Sequence, residues 1–154
     1  MNLDSVKKFL EKKGETASMV DGLPPKFLEL LTLSSLHVDL IEPGRVVCSM
    51  KIPPRLLNGG NSLHGGATAT LVDVVGSAAI PTVGYSSAST GVSVEINVSY
   101  LDAAYVDEEI EIEARALRVG KAVAVVSVEF RKKETGKVFA QGRHTKYLVL
   151  PSKI

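Results

Sequence analysis

An α+β domain, with a curved antiparallel sheet wrapped around one buried helix, is the fold class this sequence predicts. Three observations lead there. First, the stretch from Ala67 to Ile80 is apolar or small at every helical position, with one charge, Asp73. A surface helix would show an apolar stripe and a charged face, so this one is expected to be enclosed on nearly every side. Second, beyond residue 91 the apolar period changes from 3.6 to 2, the alternation of half-buried strands. Third, the turns between those strands are short, which favours antiparallel pairing.

The elements follow in order. Leu3, Val6, Phe9 and Leu10 fit a short amphipathic helix over residues 3–12. A polar connection from Gly14 to Asp21 comes next. Pro24-Pro25 then starts a second helix through Leu33, with proline in its first turn. Residues 1–35 thus form a helical extension. Leu36 to Ile41 and Arg45 to Ile52 read as strands, joined at Pro43-Gly44 into a hairpin. Residues 53–62, Pro-Pro-Arg-Leu-Leu-Asn-Gly-Gly-Asn-Ser, form a loop of turn-formers that enters the central helix. Pro81 ends that helix, since the residue before a proline is pushed out of helical conformation.

After it, Val92, Val94, Ile96, Val98 and Tyr100 alternate with polar residues, as do Ile110, Ile112, Ala114 and Ala116. Val126, Val128 and Phe130 mark a further strand, and Val138 to Leu150 the last. Turns fall at Val119-Gly120-Lys121 and Glu134-Thr135-Gly136-Lys137, which reads as a meander. No repeat or linker divides the 154 residues, so one domain is expected over 1–154.

Composition narrows the function. Aromatics are 5 % with no Trp, which argues against a base-stacking nucleic-acid platform. The net charge of +1 hides an asymmetry: residues 1–114 hold 8 Lys and Arg against 15 Asp and Glu, and residues 115–154 hold 10 against 2. A basic final third by its charge suits a polyanionic small molecule as well as nucleic acid. Cys48, the single cysteine, sits in a strand pattern as a buried, inert thiol and fits a reducing compartment. The Lys-rich N-terminus has no apolar core of a secretory signal. The central apolar run is too short, and too broken by Asp73 and Gly76, to span a membrane. The final Ser152-Lys153-Ile154 resembles the Ser-Lys-Leu peroxisomal address; otherwise a cytoplasmic or mitochondrial location is expected.

Candidate chemistry gathers at the central helix. Asp73 is an ionisable group where burial of an unpaired charge costs several kcal/mol, and no Lys or Arg lies between Arg55 and Arg115. Gly65-Gly66 at the helix start either forms a plain tight turn or lets free N–H groups meet an oxyanion. His64 can donate to a substrate carbonyl or support the loop. Asn58 can do likewise or simply form a turn. Gly65 and Asp73 lie eight residues apart, about 12 Å along a helix, whereas a reacting group must lie about 3 Å from both donor and base. If both act on one substrate, Gly65 of one subunit faces Asp73 of another, in a dimer with two composite sites. No Gly-x-Ser-x-Gly elbow, Walker pattern or dinucleotide glycine pattern occurs. His37, His64 and His144 lack metal-ligand spacing, so no metal is expected.

The run from Asn58 to Asp73, Asn-Gly-Gly-Asn-Ser-Leu-His-Gly-Gly-Ala-Thr-Ala-Thr-Leu-Val-Asp, resembles the hotdog-fold acyl-CoA thioesterases of the PaaI type, in particular their small eukaryotic members. Gly91 to Tyr100 and Ala140 to Lys146 extend the resemblance over residues 36–148. It implies a hotdog fold, dimers usually paired into tetramers, and hydrolysis of acyl-CoA to free acid and CoA in lipid metabolism. CoA is then part of the substrate and no cofactor is needed. Carried over by motif position, Gly65 holds the thioester oxygen with Asn58 assisting. Asp73 of the facing subunit activates or orients water, Ser93 places it, and His64 supports the loop. CoA is implied along Tyr100 to Tyr105, Arg118 to Val123 (Arg118, Val119, Gly120, Lys121, Ala122) and Tyr147. Arg118 and Lys121 either meet its phosphates or are solvated turn charges. Asp102-Ala103-Ala104-Tyr105 departs from the family pattern, which has Ser or Pro and a basic residue there. The resemblance leaves an aromatic hydroxybenzoyl- or naphthoyl-CoA substrate, or a non-catalytic acyl-CoA binding module, as alternatives.

Overall fold

A computed structural model describes residues 3–11, 17–84 and 91–148. The helices are α1 (Leu3–Leu10), α2 (Ala17–Val20), α3 (Phe27–Leu33) and α4 (Gly65–Ala79). The strands are β1 (His37–Glu42), β2 (Arg45–Lys51), β3 (Val92–Tyr100), β4 (Glu109–Val119), β5 (Val123–Lys132) and β6 (Val138–Tyr147). One six-stranded antiparallel sheet, in the order β1-β2-β4-β5-β6-β3, packs its concave side on α4. The predicted α+β architecture is therefore present.

The period-2 residues read from the sequence make the core. Val46, Cys48 and Met50 of β2 pair with Ala114, Ile112 and Ile110 of β4. Ala124, Val126, Val128 and Phe130 continue the same face on β5. Leu71, Val72, Val75 and Ala79 of α4 press into them and are buried. Pro81 follows the helix and opens a short 3-10 turn, Pro81–Val83.

Several expectations are corrected. The strands after α4 do not form a simple meander: β3 pairs with β6 and lies at the sheet edge, away from β4. Eight residues separate β3 from β4, enough chain to cross the sheet end, whereas β4, β5 and β6 are joined by true tight turns. Helix α3 starts at Phe27, after the prolines, and Ala17–Val20 forms a helical turn inside the stretch read as a polar connection. The last strand ends at Tyr147. The final Ser152-Lys153-Ile154 lies outside the described residues.

The helix is also not enclosed all round. Thr68, Leu71, Val72, Val75, Gly76 and Ala79 face the sheet, while Gly66, Thr70, Asp73 and Ser77 lie on the opposite, open side of the protomer. With the turn that follows it, the apolar segment spans Gly65–Val83, 19 residues, longer than the run read from the sequence. Length and composition alone would suit a membrane crossing, but this segment is the helix around which the chain's own sheet is wrapped.

Candidate active site

The start of α4 is built by its own sequence. His64 is the N-cap, and its Nδ1 accepts from the Gly66 N–H at 2.9 Å. An accepting Nδ1 puts the neutral ring's proton on Nε2. His64 therefore caps the first turn of α4 through Nδ1. The Gly65 N–H, one residue earlier, has no hydrogen-bond acceptor among the described residues. It stands at the positive end of the helix dipole, suited to a developing negative charge. The Tyr100 hydroxyl donates to the Gly65 carbonyl at 2.7 Å and fixes this turn against β3. Burial raises the Tyr100 phenol above its ordinary value, so it stays a donor at neutral pH.

Asn58 organises the loop before the helix. Its Oδ1 accepts from Gly60 N–H at 2.9 Å and Ser62 N–H at 3.2 Å, and its amide donates to Ser62 Oγ at 2.9 Å. The turn-forming role is thus fulfilled. Asn58 also lines one cleft with Gly65 and Tyr100.

Asp73, two turns along α4, is not buried as expected: 45 % of its side chain is exposed, because it stands on the open face of the helix. Ser93 Oγ donates to Asp73 Oδ1 at 3.4 Å, and His144 Nε2 lies 2.9 Å from Ser93 Oγ and 3.6 Å from Asp73 Oδ1. Asp73 and Ser93 of one chain therefore belong to one cluster, with His144 as its third member. Burial holds the fully buried His144 imidazole below its ordinary value, so it is neutral at physiological pH. With its proton on Nε2, it can hold Ser93 Oγ while the Ser93 hydroxyl faces the carboxylate.

His144 was not singled out from the sequence, although a signal exists. Ala140, Gly142, His144 and Lys146 alternate on the helix-facing side of β6, which puts two polar residues where apolar ones belong. Lys146, also buried, donates to Ser77 Oγ at 2.8 Å. Burial lowers its ammonium below the ordinary lysine value, and the Asp73 charge opposes that shift. The positive charge missing near Asp73 in sequence is thus supplied by β6. A Cβ at Gly76 would press on Val128 Cγ2 at 3.2 Å and make only ordinary contact, 3.6 Å, with His144 Nδ1.

The implied CoA contacts divide into two places. The β4–β5 turn (Arg118, Val119, Gly120, Lys121, Ala122) adjoins Tyr147: Val123 pairs with Tyr147, and Leu148 N–H donates to the Ala122 carbonyl at 2.8 Å. Tyr100 lies at the far end of β3, about 27 Å of strand from Val92, which is Tyr147's other partner. One protomer does not bring Tyr100 to the basic turn. Much of the basic final third is used within the sheet: Arg115 and Arg131 bind Glu113, Lys132 binds Glu108 and Lys133 binds Glu109. Asp102, in the segment that departs from the family pattern, is matched by Lys137 at 2.8 Å. Arg118 and Lys121 have no ion-pair partner among the described residues. No group of three or more His, Cys, Asp and Glu able to hold a metal occurs among the described residues.

Against known proteins, residues 60–139 match the family model described as "Thioesterase superfamily". The chain belongs to the thioesterase superfamily. Human acyl-coenzyme A thioesterase 13 is 44 % identical over 106 residues, 69 % of this chain and 74 % of that protein. The crystal structure of mouse thioesterase superfamily member 2 superposes with a TM-score of 0.74 at 36 % identity, covering 89 % of this chain and 99 % of that one. The PaaI protein of E. coli, at 20 % identity, shares the fold with a TM-score of 0.67 over 78 % of this chain and 88 % of its own. As a superfamily member with the hotdog architecture, the protein is a thioester hydrolase.

Proposed function

We propose that this protein is a dimeric acyl-CoA thioesterase that releases free acid and CoA. The observation behind this reading is a separation: the free Gly65 N–H and Asp73, the helix member of the Asp73–Ser93–His144 cluster, are eight residues apart on one helix. Each half needs the other, and a second subunit supplies it. The thioester oxygen sits on the Gly65 N–H of one subunit, with Asn58 beside it. Asp73 of the partner subunit takes a proton from water, which Ser93, held by His144, orients. The water oxygen bonds to the thioester carbon, the carbon–sulfur bond breaks, and the sulfur leaves as the CoA thiolate. The proton held by Asp73 then returns to the thiolate. No cofactor beyond the substrate's own CoA takes part.

Pairing of two β3 edges would build such a dimer. β3 has an open edge, and Val92, Val94 and Ile96 are exposed along it in the protomer. The same pairing would bring Tyr100 of one subunit towards the basic turn of the other, where Arg118 and Lys121 meet the CoA phosphates.

The test is free-thiol release across short, medium, long and aromatic acyl-CoAs, for wild type and Asp73→Asn. The expected result is turnover lost about 10²–10⁴-fold in the variant, with CoA binding retained. Near wild-type turnover by Asp73→Asn would refute the general-base role. Binding without release from any acyl-CoA would leave a binding module.

A further inference from the structure

The N-terminal extension has no part in the chemistry above, yet α3 is clipped firmly beside the reaction centre. Arg55 makes the clip. Its Nε donates to the Leu31 carbonyl at 2.8 Å, and Nη2 reaches Ser34 Oγ at 2.7 Å and Ser35 Oγ at 2.6 Å. Between α3 and the first turns of α4 lies a cleft of about 420 Å³. Leu28 and Leu31 line it from α3, and Leu56, Leu57, His64, Gly66 and Ala67 line it from the loop and helix opposite. Gly65 itself lines a second, more polar cleft with Asn58, Ser62 and Tyr100.

Gly65 thus lines the polar cleft, while its chain neighbours His64 and Gly66 line the apolar one. A thioester has the same asymmetry about its carbonyl: a polar, amide-bearing arm on the sulfur side and hydrocarbon on the other. We propose that the apolar cleft receives the acyl tail and that α3 of the N-terminal extension selects its length. The proposal rests on the acyl-CoA reading for its substrate and adds the element that grades it. Each methylene moved from water into such a cleft strengthens binding roughly fourfold. Preference should therefore rise with chain length until the cleft is filled, and a bulky residue on α3 should lower that limit.

Leu28 borders the cleft with 56 % of its surface still exposed, and Leu30, 61 % exposed on the same helix, does not line it. The assay is the ratio of kcat/KM for dodecanoyl-CoA to that for butanoyl-CoA. Leu28→Trp should lower the ratio at least tenfold, and Leu30→Trp should leave it within twofold. Equal effects of the two variants, or no effect of Leu28→Trp, would overturn the proposal. If the Trp variant does not fold, Leu28→Gln puts a polar group at the same rim and should lower the ratio in the same direction. A binding measurement separates this inference from the hydrolysis it rests on. S-dodecyl-CoA and S-butyl-CoA are thioethers and cannot be hydrolysed. Tighter binding of the dodecyl compound, reduced by Leu28→Trp, supports the cleft even if no acyl-CoA is turned over. Equal affinity of wild type for both thioethers overturns the cleft and leaves hydrolysis standing.

Discussion

Gly142→Ala tests how closely α4 is held to the sheet at the candidate site. Gly142 sits in β6, paired with Val98 of β3 and Val128 of β5, and faces the helix. A Cβ at this position would lie 2.6 Å from Cγ2, 3.0 Å from Cγ1 and 3.4 Å from Cβ of Val72. Carbon atoms pack best at about 3.5–4.0 Å, so the overlap approaches 1 Å. Val72 is fully buried and its Cβ is fixed by the helix backbone, so turning χ1 exchanges one clash for another. The methyl must move α4 itself. Overpacking of this kind costs about 1–3 kcal/mol. Replacing a strand glycine returns about 0.5–1 kcal/mol. Overlap wins, and the net loss is about 1–2 kcal/mol, a fall in Tm of roughly 2–8 °C. Val72 precedes Asp73 and Gly142 lies two residues before His144, so the same shift should reduce thioester turnover. Thermal and urea unfolding at fixed protein concentration would measure the loss. Adding Val72→Ala should cost less in Gly142→Ala than in the wild type, with a coupling of about 1 kcal/mol or more. A Gly142→Ala variant as stable as wild type would refute the close approach, as would a double-mutant cycle with no coupling.

Two further outcomes follow from charge and burial. Glu113, buried on the outer face of the sheet, accepts from Arg45 at 3.0 Å and Arg131 at 2.9 Å, and also pairs with Arg115. Burial pushes its carboxyl upward, but Arg131, Arg45 and Arg115 together hold it below the ordinary glutamate value. The arginines are 31–55 % exposed, which weakens each pair, so Glu113→Gln should cost about 1–3 kcal/mol at neutral pH. A lowered folded value means this contribution is complete above about pH 4.3 and is lost as pH falls through the folded value. Unfolding free energy followed from pH 7 to 2.5 should show the two proteins converging in acid, and a constant difference would contradict the assignment. Burial, aided by the Asp39 charge, pushes the Cys48 thiol up to about 11, and 2 % of the residue is exposed. At pH 8 its reaction with a disulfide reagent should be at least a hundredfold slower than in urea. Fast native labelling would show that β2 opens.

The sequence by itself determined the main elements and the residues at the centre. The all-round apolar run of α4 needs a sheet to cover it, and the period-2 strands supply one. A helix starting at Gly-Gly after a potential cap, and a lone Asp two turns on, were visible because both break the local pattern. The tertiary structure decided what lies across the sheet. β3 crosses to β6 instead of β4, which brings Ser93 to His144, and the packing of α4 on the sheet brings Asp73 to both. Sequence spacing cannot give this, because residues 51 positions apart meet through backbone pairing. The exposure of Asp73 was likewise decided by the wrap of the sheet, which covers one face of α4 and leaves the other open. The role of the basic final third also changed in three dimensions: its net charge was plain in the sequence, but Arg115, Arg131 and Lys133 are matched by glutamates of β4, Lys132 by Glu108 and Lys137 by Asp102. Local patterns fix which residues form an element and which face is apolar. Only the packed sheet decides which distant side chains share that face, because each partner comes from a different strand.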